Sequence, residues 1–402
     1  MAVAEGGAAQ GADRKPGLGP ILFTVFMDLL GFGLVIPLLG FYAEQFSASP
    51  LQVTLLMSSY SVAQFLGAPL WGMLSDRYGR RPILLASIAA SAVFLSAFAS
   101  ATELWMLFLF RTLHGLCAAN ISTAQAYVAD VTEGKDRARG MGLVGAAFGV
   151  GFSFGPLVGG QLSSFGLAAP IWLAAGLSVV NVVWVAARLP ESRRSGASDA
   201  HRKTIDPRAL VAGLLHPVVG AAIGLTFMAT FAFAMLESTF QLVAEHAWSM
   251  TARDVGNLFG FIGLIGIVVQ GGLIRRLVPR FGEVRLVAGG YLLMSAGMAA
   301  LGLAGVGALP WLGCALVAFG SSMANPSLQS LISRTVSEDE QGAILGVNQS
   351  FSALARASAP AVGGVVYQAV FPQAPLLLGA ALMALAVLAS VPATRRALAA
   401  VS

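Results

Sequence analysis

Long apolar runs separated by short polar turns organise this chain. A membrane-spanning helix needs about 20 mostly apolar residues. Twelve stretches meet that pattern, at 19–43, 52–73, 83–101, 104–129, 141–163, 168–188, 217–241, 254–274, 286–306, 309–332, 343–368 and 375–392. The segment 189–216 breaks the rhythm, with Glu191, Arg193, Arg194, Asp199, His201, Arg202 and Lys203 among small residues. It predicts a flexible linker between two six-helix halves, 19–188 and 217–392, with tails at 1–18 and 393–402. The fold class expected is an all-α membrane protein of twelve transmembrane helices in two pseudo-symmetric six-helix bundles.

The polar turns set the orientation. Of the 24 Lys and Arg, all but Arg111, Arg356 and Arg253 fall on one side of this layout. Arg111 and Arg356 lie within spans, so Arg253 alone faces the other side. Cytoplasmic loops carry the excess of basic residues, so the pattern predicts that both termini and the linker are cytoplasmic; a cell inner (plasma) membrane and a bacterial source are expected. The Gly- and Ala-rich start lacks a short apolar core with a cleavage site, and is expected to remain as a cytoplasmic tail.

Composition agrees with a bilayer as solvent. The chain is 56% hydrophobic and 11% charged over 402 residues, with mean hydropathy +0.77, against about 25% charged in soluble domains. The net charge of +5 is spread over many short turns, which fits membrane orientation and argues against a nucleic-acid partner. Cys117 and Cys314 both sit in apolar runs, as small buried hydrophobes. His114, His201, His216 and His246 are scattered, and there is no nucleophile triad, metal cluster or phosphate loop. An enzyme is not expected, nor a cofactor or a metal.

The two halves echo one another. Gly155-Pro156-Leu-Val-Gly159-Gly160 returns as Ala359-Pro360-Ala-Val-Gly363-Gly364, and Arg77-Tyr-Gly79 returns as Arg280-Phe-Gly282 at nearly the same spacing. Two matches at one offset point to duplicated halves, as in transporters built from parallel repeats.

Ionisable residues inside spans are the candidate chemistry, because a charge there must be neutralised, paired or wet. Asp28 and Glu237 lie in the first and seventh spans, which are counterparts, and both are expected at a central cavity. Arg111 keeps its proton and so needs an anion or water; Asp28 or an aqueous cavity is its expected partner. Asp28, Arg111 and Glu237 are the proton-coupling candidates. Gln64, His114, Asn120, Gln125, Asn325, Gln349 and Arg356 are candidate cavity residues, although plain interhelical hydrogen bonding uses the same residue types. Gly151, Gly155, Pro156, Gly159 and Gly160 allow close helix packing.

Gly72-Met-Leu-Ser-Asp76-Arg77-Tyr-Gly79-Arg80-Arg81 resembles the loop between the second and third helices of the major facilitator superfamily of transporters. There Gly72, Asp76, Arg77, Gly79, Arg80 and Arg81 would form a cytoplasmic gate. Phe26-Met-Asp28-Leu-Leu-Gly-Phe-Gly-Leu-Val-Ile-Pro37, Ala68-Pro69-Leu-Trp-Gly72, Ala126-Tyr127-Val-Ala-Asp130 and Leu189-Pro-Glu191-Ser192 resemble the tetracycline-efflux group of drug–proton antiporters. The Gly-Pro segment of the fifth span is similar to the antiporter motif, and the Arg111 segment to a motif tied to proton transfer, with His114 where Gln is frequent. The resemblance implies export of a small, partly hydrophobic compound in exchange for protons; the partners expected are that small molecule, protons and the lipid bilayer, and the protein is expected to be a monomer. Uptake or facilitated diffusion of a metabolite by the same fold is the alternative. Tetracycline exporters of this group carry acids in the third and ninth spans. Ile83–Ala101 and Leu286–Val306 carry none, so a broader drug or metabolite exporter is expected.

The second-half echo lacks the acid and the second basic pair, so any latch belongs to the first half. Asp76→Asn is expected to slow transport turnover while leaving substrate affinity in a fixed state unchanged, measured by exchange rates beside equilibrium binding; a pure affinity loss would contradict a latch.

Overall fold

The computed structural model describes residues 18–132, 134–192, 217–305, 307–335 and 338–401. Nearly all of the expected N-terminal tail and linker, at 1–17 and 193–216, lies outside the described residues. The first half contains α1 (Gly19–Val35), α2 (Leu39–Glu44), α3 (Pro50–Tyr78), α4 (Arg80–Ala99), α5 (Leu104–Cys117), α6 (Asn120–Val131), α7 (Gly134–Leu162) and α8 (Ala169–Arg188). The second contains α9 (Pro217–Trp248), α10 (Ala252–Val268), α11 (Ile274–Phe281), α12 (Glu283–Gly302), α13 (Leu309–Thr335), α14 (Glu338–Ala369) and α15 (Ala374–Val401). No strand occurs among the described residues.

Among the described residues, nine helical stretches are long and apolar enough to cross a membrane, and they fall on the first nine predicted spans. Helices α13, α14 and α15 stand at the last three, and α15 qualifies only as a shorter apolar helix over Ala374–Ser390. The segment expected to be the C-terminal tail is helical as far as Val401, where α15 ends; Thr394-Arg-Arg-Ala-Leu-Ala-Ala contains no helix breaker.

Three spans expected to be continuous are interrupted. The first narrows to a 3₁₀ turn at Ile36–Leu38, where Pro37 lacks the N–H that an α-helix needs. The fourth breaks between α5 and α6 at Ala118 and Ala119. The eighth passes through a π-helical turn at Val269–Leu273, which contains Gly271-Gly272. Periodicity does not register such breaks, since apolar residues continue on both sides of them.

The repeat is written in the backbone. Ser47 and Ser249 both take positive φ, at 57° and 54°, each two residues before a capping box. The boxes are Ser49 with Gln52, opening α3, and Thr251 with Asp254, opening α10. Gly79 and Gly282 end the corresponding helices with φ of 102° and 75°, which only glycine adopts at low cost. Packing repeats as well: α1 lies on α7 and α8 as α9 lies on α14 and α15, and α4 lies on α8 as α12 lies on α15.

Two equivalent seams join the halves, α7 against α10 and α3 against α14. Both close at the end away from the Arg77–Arg81 turn. There a Cβ on Gly256 would lie 2.5 Å from the Pro156 carbonyl oxygen, and one on Gly160 would lie 2.9 Å from Gly256 Cα. Gly364 meets Thr54 on the other seam, and Gly40 meets the Gln241 side chain. His246 adds a bridge, with Nε2 3.8 Å from the Glu44 carboxylate and Nδ1 2.9 Å from the Tyr367 hydroxyl. At the basic end the same helices stand apart: Gly142, Gly145 and Gly149 of α7, and Gly271 and Gly272 opposite, have nothing within 4 Å.

Small residues therefore set how the halves close. Gly256→Val is expected to force α7 and α10 apart and to cost about 1–3 kcal/mol. Thermal unfolding in detergent should show the loss, and a cysteine reporter at the sealed end should label faster. Wild-type labelling would mean that this contact does not hold the seal.

Candidate functional site

A cavity of about 1850 Å³ lies between the halves and reaches Arg139, Gly142, Gln270 and Arg275 at the basic end. All ten proton-coupling and cavity candidates line it: Asp28, Gln64, Arg111, His114, Asn120, Gln125, Glu237, Asn325, Gln349 and Arg356.

The first-half wall is built around the break between α5 and α6. Ending a helix inside a membrane leaves backbone groups with no water to pair them. Here neighbouring side chains take them up. Trp71 Nε1 donates to the Leu116 carbonyl at 2.8 Å, and Gln64 Nε2 to that of Ala118 at 3.4 Å. The Ser87 hydroxyl donates to the Cys117 carbonyl at 2.6 Å and accepts from the Ala119 amide at 3.0 Å. Gly67 and Gly115 let α3 and α5 touch backbone to backbone, since a Cβ on either would collide with the Leu116 or Tyr60 carbonyl.

That contact brings Tyr60 under Arg111. The guanidinium carbon stands 4.4 Å from the Tyr60 ring centroid, a cation–π distance. Tyr60 also meets the His114 ring at 5.2 Å and Phe32 at 5.8 Å. Arg111 is 3% exposed, and its Nε has no hydrogen-bond partner. Asp28 was one expected partner for Arg111, but its carboxylate instead accepts from Asn120 Nδ2 at 2.5 Å. Of the two partners expected for Arg111, the cavity is the one observed. Tyr60 was missed from sequence, although it sits four residues before Gln64 and shares a helical face with it. Phe152, Arg139 and Arg275 were missed as well, and composition marks none of them.

On the second-half wall, Glu237 and Arg356 face each other without forming an ion pair within 4.0 Å. The fifth-span glycines serve packing. Gly151, Gly155 and Gly159 close against Leu29, Gly33 and Leu34 of α1, and Pro156 and Gly160 meet Gly256.

The gate candidates Gly72, Asp76, Arg77, Gly79, Arg80 and Arg81 lie at the open end. Arg80 pairs with Asp76 at 2.7 Å and with Asp130 at 2.9 Å. The Glu191 carboxylate accepts from the Arg80 and Arg81 amides at 2.9 and 3.1 Å, capping the start of α4. Three sequence motifs, around Gly79, Asp130 and Glu191, thus form one knot, and these contacts all lie within the first half. A Cβ on Gly79 would fall 2.5 Å from Glu191 Oε2, a second reason for glycine there.

Paired seams, one sealed end and a polar central cavity between duplicated halves are the parts that alternating access uses. A family profile described as Major Facilitator Superfamily matches residues 21–360, and again 276–401. The chain belongs to that family and is a transport protein rather than an enzyme. The tetracycline resistance protein, class C, of Escherichia coli is 30% identical over 353 residues, covering 87% of this chain and 89% of that protein. Multidrug resistance protein 2 of Bacillus subtilis (strain 168) is 27% identical over 352 residues, covering 86% and 88%. The crystal structure of the human organic anion transporter MFSD10 (TETRAN) superposes with TM-score 0.68 at 26% identity, covering 95% of this chain and all of that one.

Ser87 is the side chain on which the helix break most depends. Ser87→Ala should lower stability by about 1–2 kcal/mol, read as a reduced melting temperature. Ser87→Thr, which keeps the hydroxyl, should recover most of it.

Proposed function

We propose that this protein exports small, partly hydrophobic compounds from the cell in exchange for protons, by alternating access. The observation that carries this reading is Asp28, a carboxylate on the wall of a cavity that is sealed at one end and open at the other. A carboxylate so placed can exchange a proton with whichever side the cavity faces. The relatedness to tetracycline and multidrug resistance proteins supports export.

With the basic end in the cytoplasm, as the positive-inside rule requires, the conformation is inward-facing. Substrate enters from the cytoplasm and the halves rock about the cavity. Separation of Gly160 from Gly256, and of Gly364 from Thr54, then opens the outer end. Glu237 is the matching carboxylate of the second half. The Asp76–Arg80–Asp130 knot holds the first half rigid during the motion, and the unit is one chain. One proton moving down about 100 mV releases about 2.3 kcal/mol, enough for a substrate gradient of roughly 50-fold.

Transport into everted membrane vesicles tests the coupling. Asp28→Asn should abolish accumulation driven by a pH gradient while downhill exchange of substrate persists. If the variant accumulates substrate against a gradient as wild type does, Asp28 is not the coupling group.

A further inference from the structure

Glu44, at the end of α2, meets Glu245 and His246, near the end of α9, where the two halves close at the sealed end. One imidazole nitrogen and two carboxylate oxygens there lie within 4.8 Å of one another. Sequence spacing does not reveal the cluster, because Glu44 belongs to the first half and the other two residues to the second. The Glu44 and Glu245 carboxylates are in hydrogen-bonding contact. Like charges that close hold together only with a proton or a cation between them.

The imidazole is held as a metal ligand needs to be. The tautomer is assigned from its neighbours. The Tyr367 hydroxyl, on α14, donates to the Leu242 carbonyl at 3.4 Å. Its oxygen is then left to accept from His246 Nδ1–H at 2.9 Å. Nε2 carries the lone pair and faces the Glu44 carboxylate at 3.8 Å. That is too long for a hydrogen bond. It is near the separation of two ligands on one tetrahedral zinc ion, about 3.4 Å for bonds of about 2.1 Å. Ligating histidines almost always donate their other N–H to an oxygen in this way.

Gln241 is an independent sign of a ligand on this seam. It stands one turn inward of Glu245 and packs against Gly40, which is one turn inward of Glu44. Its side chain is 1% exposed, yet neither Oε1 nor Nε2 has a partner. A helical turn is about 5.4 Å, which is the reach of a water carried by an ion at the cluster. A buried amide with both groups free is the partner that such a water needs. Entry is from the other side: the His246 side chain is 45% exposed and that of Glu44 is 21% exposed.

We infer that Glu44, Glu245 and His246 form a binding site for a divalent transition-metal ion of the zinc type, reached from the outer face and bridging the two halves. One imidazole with two carboxylates suits zinc and its first-row neighbours. Calcium takes six or more oxygens, and magnesium keeps several waters. Because α2 and α9 belong to different halves, the bound ion ties shut the end that must open, and so acts as an external brake that favours the inward-facing form. Ion binding is independent of what the protein carries; the brake rests on the alternating-access reading above.

Zinc chloride is the probe, with calcium chloride beside it, on the purified full-length protein in lipid nanodiscs and free of any histidine tag. Isothermal titration calorimetry should show a single saturable zinc site and no matching calcium site. Glu44→Gln, Glu245→Gln and His246→Asn should each weaken zinc binding by about 10-fold or more, and Tyr367→Phe by about 10-fold. Glu44→His exchanges one ligand for another and should keep the site, which separates a ligand from a merely structural carboxylate. The double variant His201→Ala, His216→Ala leaves the cluster intact and should bind as wild type does. Zinc should also slow labelling of a cysteine reporter at the sealed end in the wild type, and not in His246→Asn. No saturable binding, binding that survives all three ligand substitutions, or a loss in Glu44→His equal to that in Glu44→Gln overturns the site. Binding without slower labelling overturns the brake. Proton-driven export in everted vesicles is scored without zinc, so failure of the exporter reading leaves the metal site standing.

Discussion

Satisfaction of the backbone where the fourth span breaks is the constraint on which the rest of the site depends. Hydrocarbon offers no water to a freed carbonyl or amide, so a break survives only where protein supplies the partners. Trp71, Gln64 and Ser87 do so from the two neighbouring helices. The break in turn places Asn120 beside Asp28 and gives the cavity a helix start. A continuous helix through Ala118 and Ala119 would carry Asn120 round to another face and close off that helix end. The same arrangement holds Arg111 over Tyr60, because the contact of Gly67 and Gly115 that brings α3 to α5 also aligns the two residues.

A second principle governs the motion. Without a hydrophobic drive between helices in lipid, packing of small residues and a few polar contacts hold them together. The two halves meet where glycines allow backbone contact and separate where the glycines face space. The seal is assembled from equivalent seams, so the duplicated architecture yields one closed end and one open end from nearly the same parts. His246, reaching Glu44 and Tyr367 across the halves, adds a polar contact to the sealed end. At the opposite end the Asp76–Arg80–Asp130 contacts join elements of the first half.

Sequence patterns reached far because the bilayer limits the choices. Span positions, the side favoured by basic residues, the duplication and the family resemblance were all legible, since each rests on composition or on motifs local in the chain. The ten polar candidates all line one cavity for a related reason: polar side chains in hydrocarbon either face a wet cavity or bond to a neighbouring helix, as Asn181 does to the Thr24 carbonyl. Span interruptions were less legible. Pro37 and Gly271-Gly272 carry a signal, but the break at Ala118 and Ala119 has none, because its cause lies in side chains some thirty to fifty residues away.

By itself, then, the sequence determined the solvent, the repeat, the end at which basic residues gather and the polar residues that line the cavity. All of these follow from how often, and at what spacing, apolar, basic and small residues recur along one strand of chain. Only the tertiary structure decided the pairing. It gave Asp28 to Asn120 rather than to Arg111, placed Tyr60 beneath the guanidinium, gathered Arg80, Asp130 and Glu191 into one knot, and chose which end is sealed. Those outcomes depend on distances between helices far apart in sequence, and helical spacing along one segment carries no information about the neighbour that a side chain will meet.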